Sequence, residues 1–224
     1  MDHFKPIEKG AFRPLNSNEC RILFVRHPEH TENIALVAET VRLIAQGQKL
    51  ALAGLEIAGA ISSPADRAIA AVYFTKAGME KGGYTTTDAR LADMKAEDPD
   101  LVKKLKADAK AAGKEPEDYI FEICQTNENF RKMMFRRGTE GAAALREFAN
   151  KFSGKTILSA SHGGSRMEIV IAALARRISE KNIPQPEVML IRGQIAELIF
   201  NTETFIINIE TGELVEENYL EPME

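Results

Sequence analysis

The sequence predicts an α/β protein: a three-layer α/β/α sandwich in which a mostly parallel, mixed sheet lies between helices. Two observations carry this expectation. At three places a short apolar run ends in a loop that opens a helix with apolar periodicity, the pattern of strand–helix units feeding a parallel sheet. Near the C-terminus the pattern changes to "AELIFNTETFIINIETGELVEEN", one or two antiparallel strands parted by Asn/Thr turns, which would complete one side of that sheet.

The first unit begins with "RILFV", residues 21–25, apolar without alternation as a strand covered on both faces must be. It stops abruptly at Arg26 and His27. Beyond it, Ile34, Val37, Ala38, Val41, Ile44 and Ala45 recur at helical spacing, with Thr31 placed to cap and Gly47 near the end. In the second unit, "AGAISSPADRAIAAVYF", a strand of small apolar residues ends near Ile61. Ser63 is expected as N-cap, Pro64 at the first helical position and Asp66 as the capping-box acid, which puts Arg67 in the first turn. In the third, "TILSASHGGSRMEIVIAALARR", strand 156–161 runs into His162 and two glycines, and Ser165 with Glu168 forms a capping-box pattern before an apolar helix.

Composition bounds the rest. A chain of 224 residues, 44% of them hydrophobic, can pack a single domain spanning 1–224. Residues 94–137 differ in character, being heavily charged and helical in propensity, and read as a helical insertion or cap. The formal charge of −4 gives no electrostatic footprint for nucleic acid or an anionic membrane, and Glu56 interrupts the most apolar stretch before it reaches a span. Two cysteines far apart, Cys20 and Cys124, make no disulfide framework, and the N-terminus lacks a signal-peptide core, so a cytoplasmic location is expected. The sequence leaves open whether the chain forms a homo-oligomer.

In a parallel sheet, ligands bind beyond the carboxyl ends of the strands. His27, Arg67 and His162 would all project from that edge. Taken singly, each is as readily a strand-end, helix-surface or turn residue; their shared position is the signal. Arginines and helix N-termini converging on one small volume suit a phosphate group, and a neutral imidazole there can attack phosphorus while the cations stabilise the transferring charge.

"VRHPEHTEN", "ISSPADRA" and "SASHGG", in that order, resemble the motifs of the histidine phosphatase superfamily, which includes cofactor-dependent phosphoglycerate mutase and many small-molecule phosphatases. The likeness runs over roughly residues 21–210, with the insertion unmatched. It implies a phosphoglycerate mutase-like fold and metal-independent hydrolysis of a phosphate monoester through a phosphohistidine on His27. Arg26, Asn33, Arg67 and His162 would bind the phosphate of a small phosphorylated metabolite, with no cofactor. The family's acidic proton donor falls at Asp93 in "RLADM", with Glu97 or Asp98 as substitutes, and Asp93 reads equally as a helix cap or loop acid. Pro28 stands where the family usually has glycine, and His30 where it has serine or threonine. Proline removes one backbone donor from the loop.

Three other readings are available. His27, His30, His162 and Asp93 could form a metal site, against which two arginines in the same pocket would repel a divalent cation. A catalytically impaired module could bind a phosphorylated ligand without turnover. A phosphomutase is possible within the enzyme reading, although long substrate loops are not recognisable. Arg131, Lys132, Arg136 and Arg137 could reach a second anionic group, or form an exposed basic helix face.

Overall fold

A computed structural model describes residues 12–27, 30–31, 34–35, 37–80, 83–163, 167–185, 195–203 and 206–208. In chain order the elements begin with β1 (Glu19–Arg26), the short pair β2 (His30–Thr31) and β3 (Ile34–Ala35), α1 (Val37–Leu52) and β4 (Ile57–Ser62). Then come α2 (Asp66–Gly78), β5 (Tyr84–Thr87), α3 (Met94–Glu97), α4 (Pro99–Ala111), α5 (Pro116–Thr126) and α6 (Glu128–Ala149). β6 (Thr156–Ser161), α7 (Met167–Leu174), β7 (Ile195–Asn201) and β8 (Ile206–Asn208) complete the set.

The main sheet has the order β5-β4-β6-β1-β7-β8. β5, β4, β6 and β1 are parallel; β7 runs antiparallel to β1, and β8 antiparallel to β7. The expected mixed sheet and its antiparallel C-terminal edge are therefore both present. β1 shows why its sequence lacks alternation: Ile22 and Phe24 pack with α6 and α7 on one face, Leu23 and Val25 with α1 and α2 on the other. These are the three layers. A further core of Met94, Leu105, Phe121, Cys124, Phe130 and Met134 holds α3, α4, α5 and the first half of α6 together. Residue 137, the expected end of the insertion, lies inside α6, whose second half passes into the main core through Ala142, Leu145 and Phe148.

Two helix starts differ from expectation. Ile34 belongs to β3, α1 begins at Val37, and Val37 and Val41 are exposed while Leu43, Gln46, Gly47 and Leu50 face inward. The reason is a close crossing with α2, where a Cβ on Gly47 would meet the carbonyl oxygen of Thr75 and one on Gly78 that of Ile44. The helix turns its small-residue face, not its valines, towards its partner. In the second unit the N-cap of α2 is Ala65, without a side-chain cap, because Ser63 still donates its N–H to the Ala160 carbonyl at 3.0 Å as an extension of β4. The expected cap Ser165 lies outside the described residues. Among the described residues, no helix is long and apolar enough to cross a membrane.

Candidate active site

β1 and β6 are in register from Arg21 opposite Thr156 to Arg26 opposite Ser161, so the next residues, His27 and His162, leave the same sheet edge side by side. The His27 N–H donates to the Ser161 carbonyl at 3.1 Å, carrying the pairing one residue further. The two imidazoles are buried with centroids 5.0 Å apart, edge to face at 62°. Arg67, on the first turn of α2, reaches them from the neighbouring strand end: its Nε donates to His162 Nδ1 at 3.3 Å. On the other side of the ring, His162 Nε2 is hydrogen-bonded with Ser63 Oγ at 2.8 Å. Ser63 is thus a site residue, read from sequence as a helix cap.

Asp93 also lies in this cluster. Its Oδ2 is ion-paired with Arg67 Nη2 and sits 3.7 Å from His162 Nδ1, while Oδ1 accepts from the Ala96 N–H at 2.9 Å as N-cap of α3. Both the pocket and the capping readings of Asp93 therefore describe its position. Its segment is tied down twice: Ser161 Oγ donates to the Leu91 carbonyl at 2.8 Å, and Arg137 Nη2 to the Ala92 carbonyl at 3.1 Å. Glu97 is paired with Arg137, and Asp98 caps α4 through the Leu101 N–H at 2.9 Å, so both substitutes for Asp93 are engaged outside the cluster.

Arg26 is framed by two residues that sequence reasoning did not single out. Its Nη2 donates to Glu117 Oε1 at 3.0 Å, from the first turn of α5. On its other side, a Cβ at Gly163 would fall on the Arg26 Nε, Cζ and Cδ atoms. The "HGG" run was the available signal for Gly163; Glu117 sits in a charged run with no local mark. Asn33 and Pro28 lie outside the described residues, as does the His30 side chain.

The basic residues of α6 do not form a common face. Arg137 is buried on Glu97 and the Ala92 carbonyl, Arg131 donates to the carbonyls of Glu180 and Cys124, Lys132 pairs with Glu128, and Arg136 is exposed. Among the described residues, no three His, Cys, Asp or Glu side chains are grouped to hold a metal ion. Both cysteines are buried thiols, each pushed up to about 12 by loss of solvation.

Chemically, the cluster combines the Arg67 guanidinium, the Asp93 carboxylate and two buried histidines, with Arg26 packed over Gly163, the residue after His162. That is a place for an oxyanion beside a nitrogen nucleophile.

No family model matches the sequence, and no curated protein matches it. Solved structures do match. YhfR from Bacillus stearothermophilus superposes with a TM-score of 0.64 at 12% identity, over 89% of this chain and 99% of that one. A phosphoglycerate mutase from Bacillus anthracis gives 0.62 at 16% identity, over 91% and 96%. A mycobacterial glucosyl-3-phosphoglycerate phosphatase gives 0.51 at 14% identity, over 85% and 95%. At such identities the likeness is one of fold, and the fold is phosphoglycerate mutase-like.

Proposed function

We propose that this chain is a phosphatase that hydrolyses the phosphate monoester of a small metabolite through a phosphohistidine on His27, in the cytoplasm. The observation that carries the reading is the meeting of His27 and His162 at the ends of two adjacent parallel strands, with Arg26 beside one and Arg67 bonded to the other. The names of the structural neighbours, a phosphoglycerate mutase and a glucosyl-3-phosphoglycerate phosphatase, support a phosphorylated metabolite as substrate. The buried, unpaired thiols support a reducing compartment.

The chemistry runs in two halves. A phosphate dianion enters between Arg26 and Arg67, taking hydrogen bonds that these guanidiniums now give to Glu117 and Asp93. A ring nitrogen of neutral His27 donates its electron pair to phosphorus as the bond to the ester oxygen breaks, and the guanidiniums and His162 stabilise the charge on the transferring group. Asp93 supplies the proton that the departing alkoxide needs. Water then attacks the phosphohistidine, giving inorganic phosphate and restoring the imidazole. Asn33 completes the phosphate contacts in this reading, no metal or other cofactor takes part, and the helices of 94–137 form a cap over the pocket.

The test is to trap the intermediate. Incubation with p-nitrophenyl phosphate and rapid quenching should leave an acid-labile, alkali-stable phosphate on His27, and inorganic phosphate should be the product. Full hydrolytic activity in His27→Ala would overturn the mechanism, and transfer to a second metabolite in place of water would point to a mutase.

A further inference from the structure

The cations and carboxylates of the site are layered by depth. Side-chain exposure rises from 5% at His162 and 11% at Arg67, through 13% at Arg26, to 19% at Asp93 and 32% at Glu117. Among the described residues, the histidine and the two arginines are innermost and the two carboxylates outermost. A monoester whose phosphate lies against the arginines must point its alcohol outward, past these carboxylates.

Glu117 is the more exposed of the two carboxylates. It stands on the first turn of α5, in the segment 94–137, and its Oε1 accepts from Arg26 Nη2 at 3.0 Å. Nearby Lys114, of the preceding loop, is taken by Glu122 at 2.6 Å. On α6, Arg131, Lys132 and Arg137 are directed to backbone carbonyls, Glu128 and Glu97, and Arg136 is exposed. Among the described residues, Glu117 is thus a carboxylate that stands directly against a guanidinium of the site from the outer side.

We propose that Glu117 determines charge selectivity at this site, disfavouring phosphate monoesters whose alcohol carries a carboxylate or a further phosphate and favouring those whose alcohol is neutral or carries an ammonium group. The inference rests on the phosphate-pocket reading of Arg26 and Arg67 and deepens it. One charge pair several ångströms apart at a partly exposed, screened position changes affinity by roughly tenfold. Specificity here is a difference of affinities created by a repulsive group, which the first turn of α5 keeps at the site when Arg26 turns to the phosphate.

Non-hydrolysable probes separate binding from turnover. Inorganic phosphate, aminoethylphosphonate and phosphonopropionate would be titrated calorimetrically into the wild-type protein and Glu117→Gln. The wild type should prefer the ammonium-tailed probe over the carboxylate-tailed one, and Glu117→Gln should shrink that ratio by roughly a hundredfold, a factor of ten from each probe. Glu117→Lys should reverse the preference. If inorganic phosphate binds but the ratio is the same in wild type and both variants, the selectivity proposal alone is overturned. If inorganic phosphate does not bind the wild type at all, the phosphate-pocket reading fails, and the proposal with it.

Discussion

Replacing Gly163 with alanine should disable the site while leaving the protein folded. The new Cβ would fall on the Nε, Cζ and Cδ atoms of Arg26, the outer part of a flexible side chain, so the arginine swings aside and the backbone stays. What disappears is the placement of Arg26 that the proposed phosphate pocket requires. A charge-assisted hydrogen bond contributes about 1.5–3 kcal/mol, so losing one lowers kcat/KM on p-nitrophenyl phosphate by roughly ten- to a hundredfold. The stability change is small by comparison. The Arg26–Glu117 pair is partly exposed, and such a pair contributes up to about 1 kcal/mol. With an unfolding entropy of about 2.1 cal/mol/K per residue, that lowers Tm by about 2 °C in a chain of 224 residues.

The decisive assay is a double-mutant cycle. Gly163→Ala and Arg26→Ala are each measured alone and then together, following kcat/KM and the affinity for inorganic phosphate. If Gly163 acts only by leaving room for Arg26, the double variant should be no worse than Arg26→Ala, and the coupling energy should equal the whole effect of Gly163→Ala. Additive losses would refute the reasoning, as would a fall in Tm large enough to show that the loop itself had rearranged.

The other glycine contacts give the opposite outcome. Gly47→Ala and Gly78→Ala set a Cβ against backbone carbonyls of the partner helix, which cannot rotate away. Each should therefore cost about 3 kcal/mol or more and lower Tm by roughly 6 °C in a thermal melt. Asp93→Asn keeps an N-cap on α3 but gives up the ion pair with Arg67, so stability should fall only modestly while hydrolysis of an alkyl phosphate falls by about 10²- to 10⁴-fold and that of an aryl phosphate, whose phenolate needs no proton, is spared; equal losses would make Asp93 a positioning group. Glu19 is held down to about 2, from an ordinary value of 4.5, chiefly by its hydrogen bond from Arg13. Its depressed folded value means that the carboxylate stabilises the fold above the unfolded value and ceases to as pH falls through about 2. Because Arg13 is half exposed, Glu19→Gln should cost only about 1 kcal/mol at pH 7, and urea titrations of variant and wild type should converge as the pH approaches that value.

What the sequence discloses here is what is local. β1 is legible because the apolar run "ILFV" has no polar interruption and reads as a short strand covered twice, β6 because "TILSAS" is short, small and buried throughout and runs into a glycine loop, and His27 and His162 mark where each stops. Arg67 is legible for the same reason, lying one turn into a helix that follows a strand. β5 escapes because "YTTT" is a polar strand with little buried surface and so has no hydrophobic signature. The face of α1 is misjudged because periodicity counts valines, whereas the crossing with α2 is governed by how closely two backbones approach at Gly47 and Gly78. Arg137 reads as part of a basic helix face, yet it is among the most buried side chains, since nothing near it in the chain announces Glu97 or the Ala92 carbonyl.

The same division runs through the site. His27, Arg26, Arg67 and His162 are each fixed within a few residues of a strand–helix junction, so they can be found one motif at a time. The carboxylate facing Arg26 comes from 91 residues away and arrives only because α5 packs through Ile120, Phe121 and Cys124 onto the core shared with α6. A substitution in that small core can therefore move Glu117 relative to Arg26 without touching any motif residue. The junctions carry the proposed chemistry, while the packing of α5 places the carboxylate of the proposed charge selectivity.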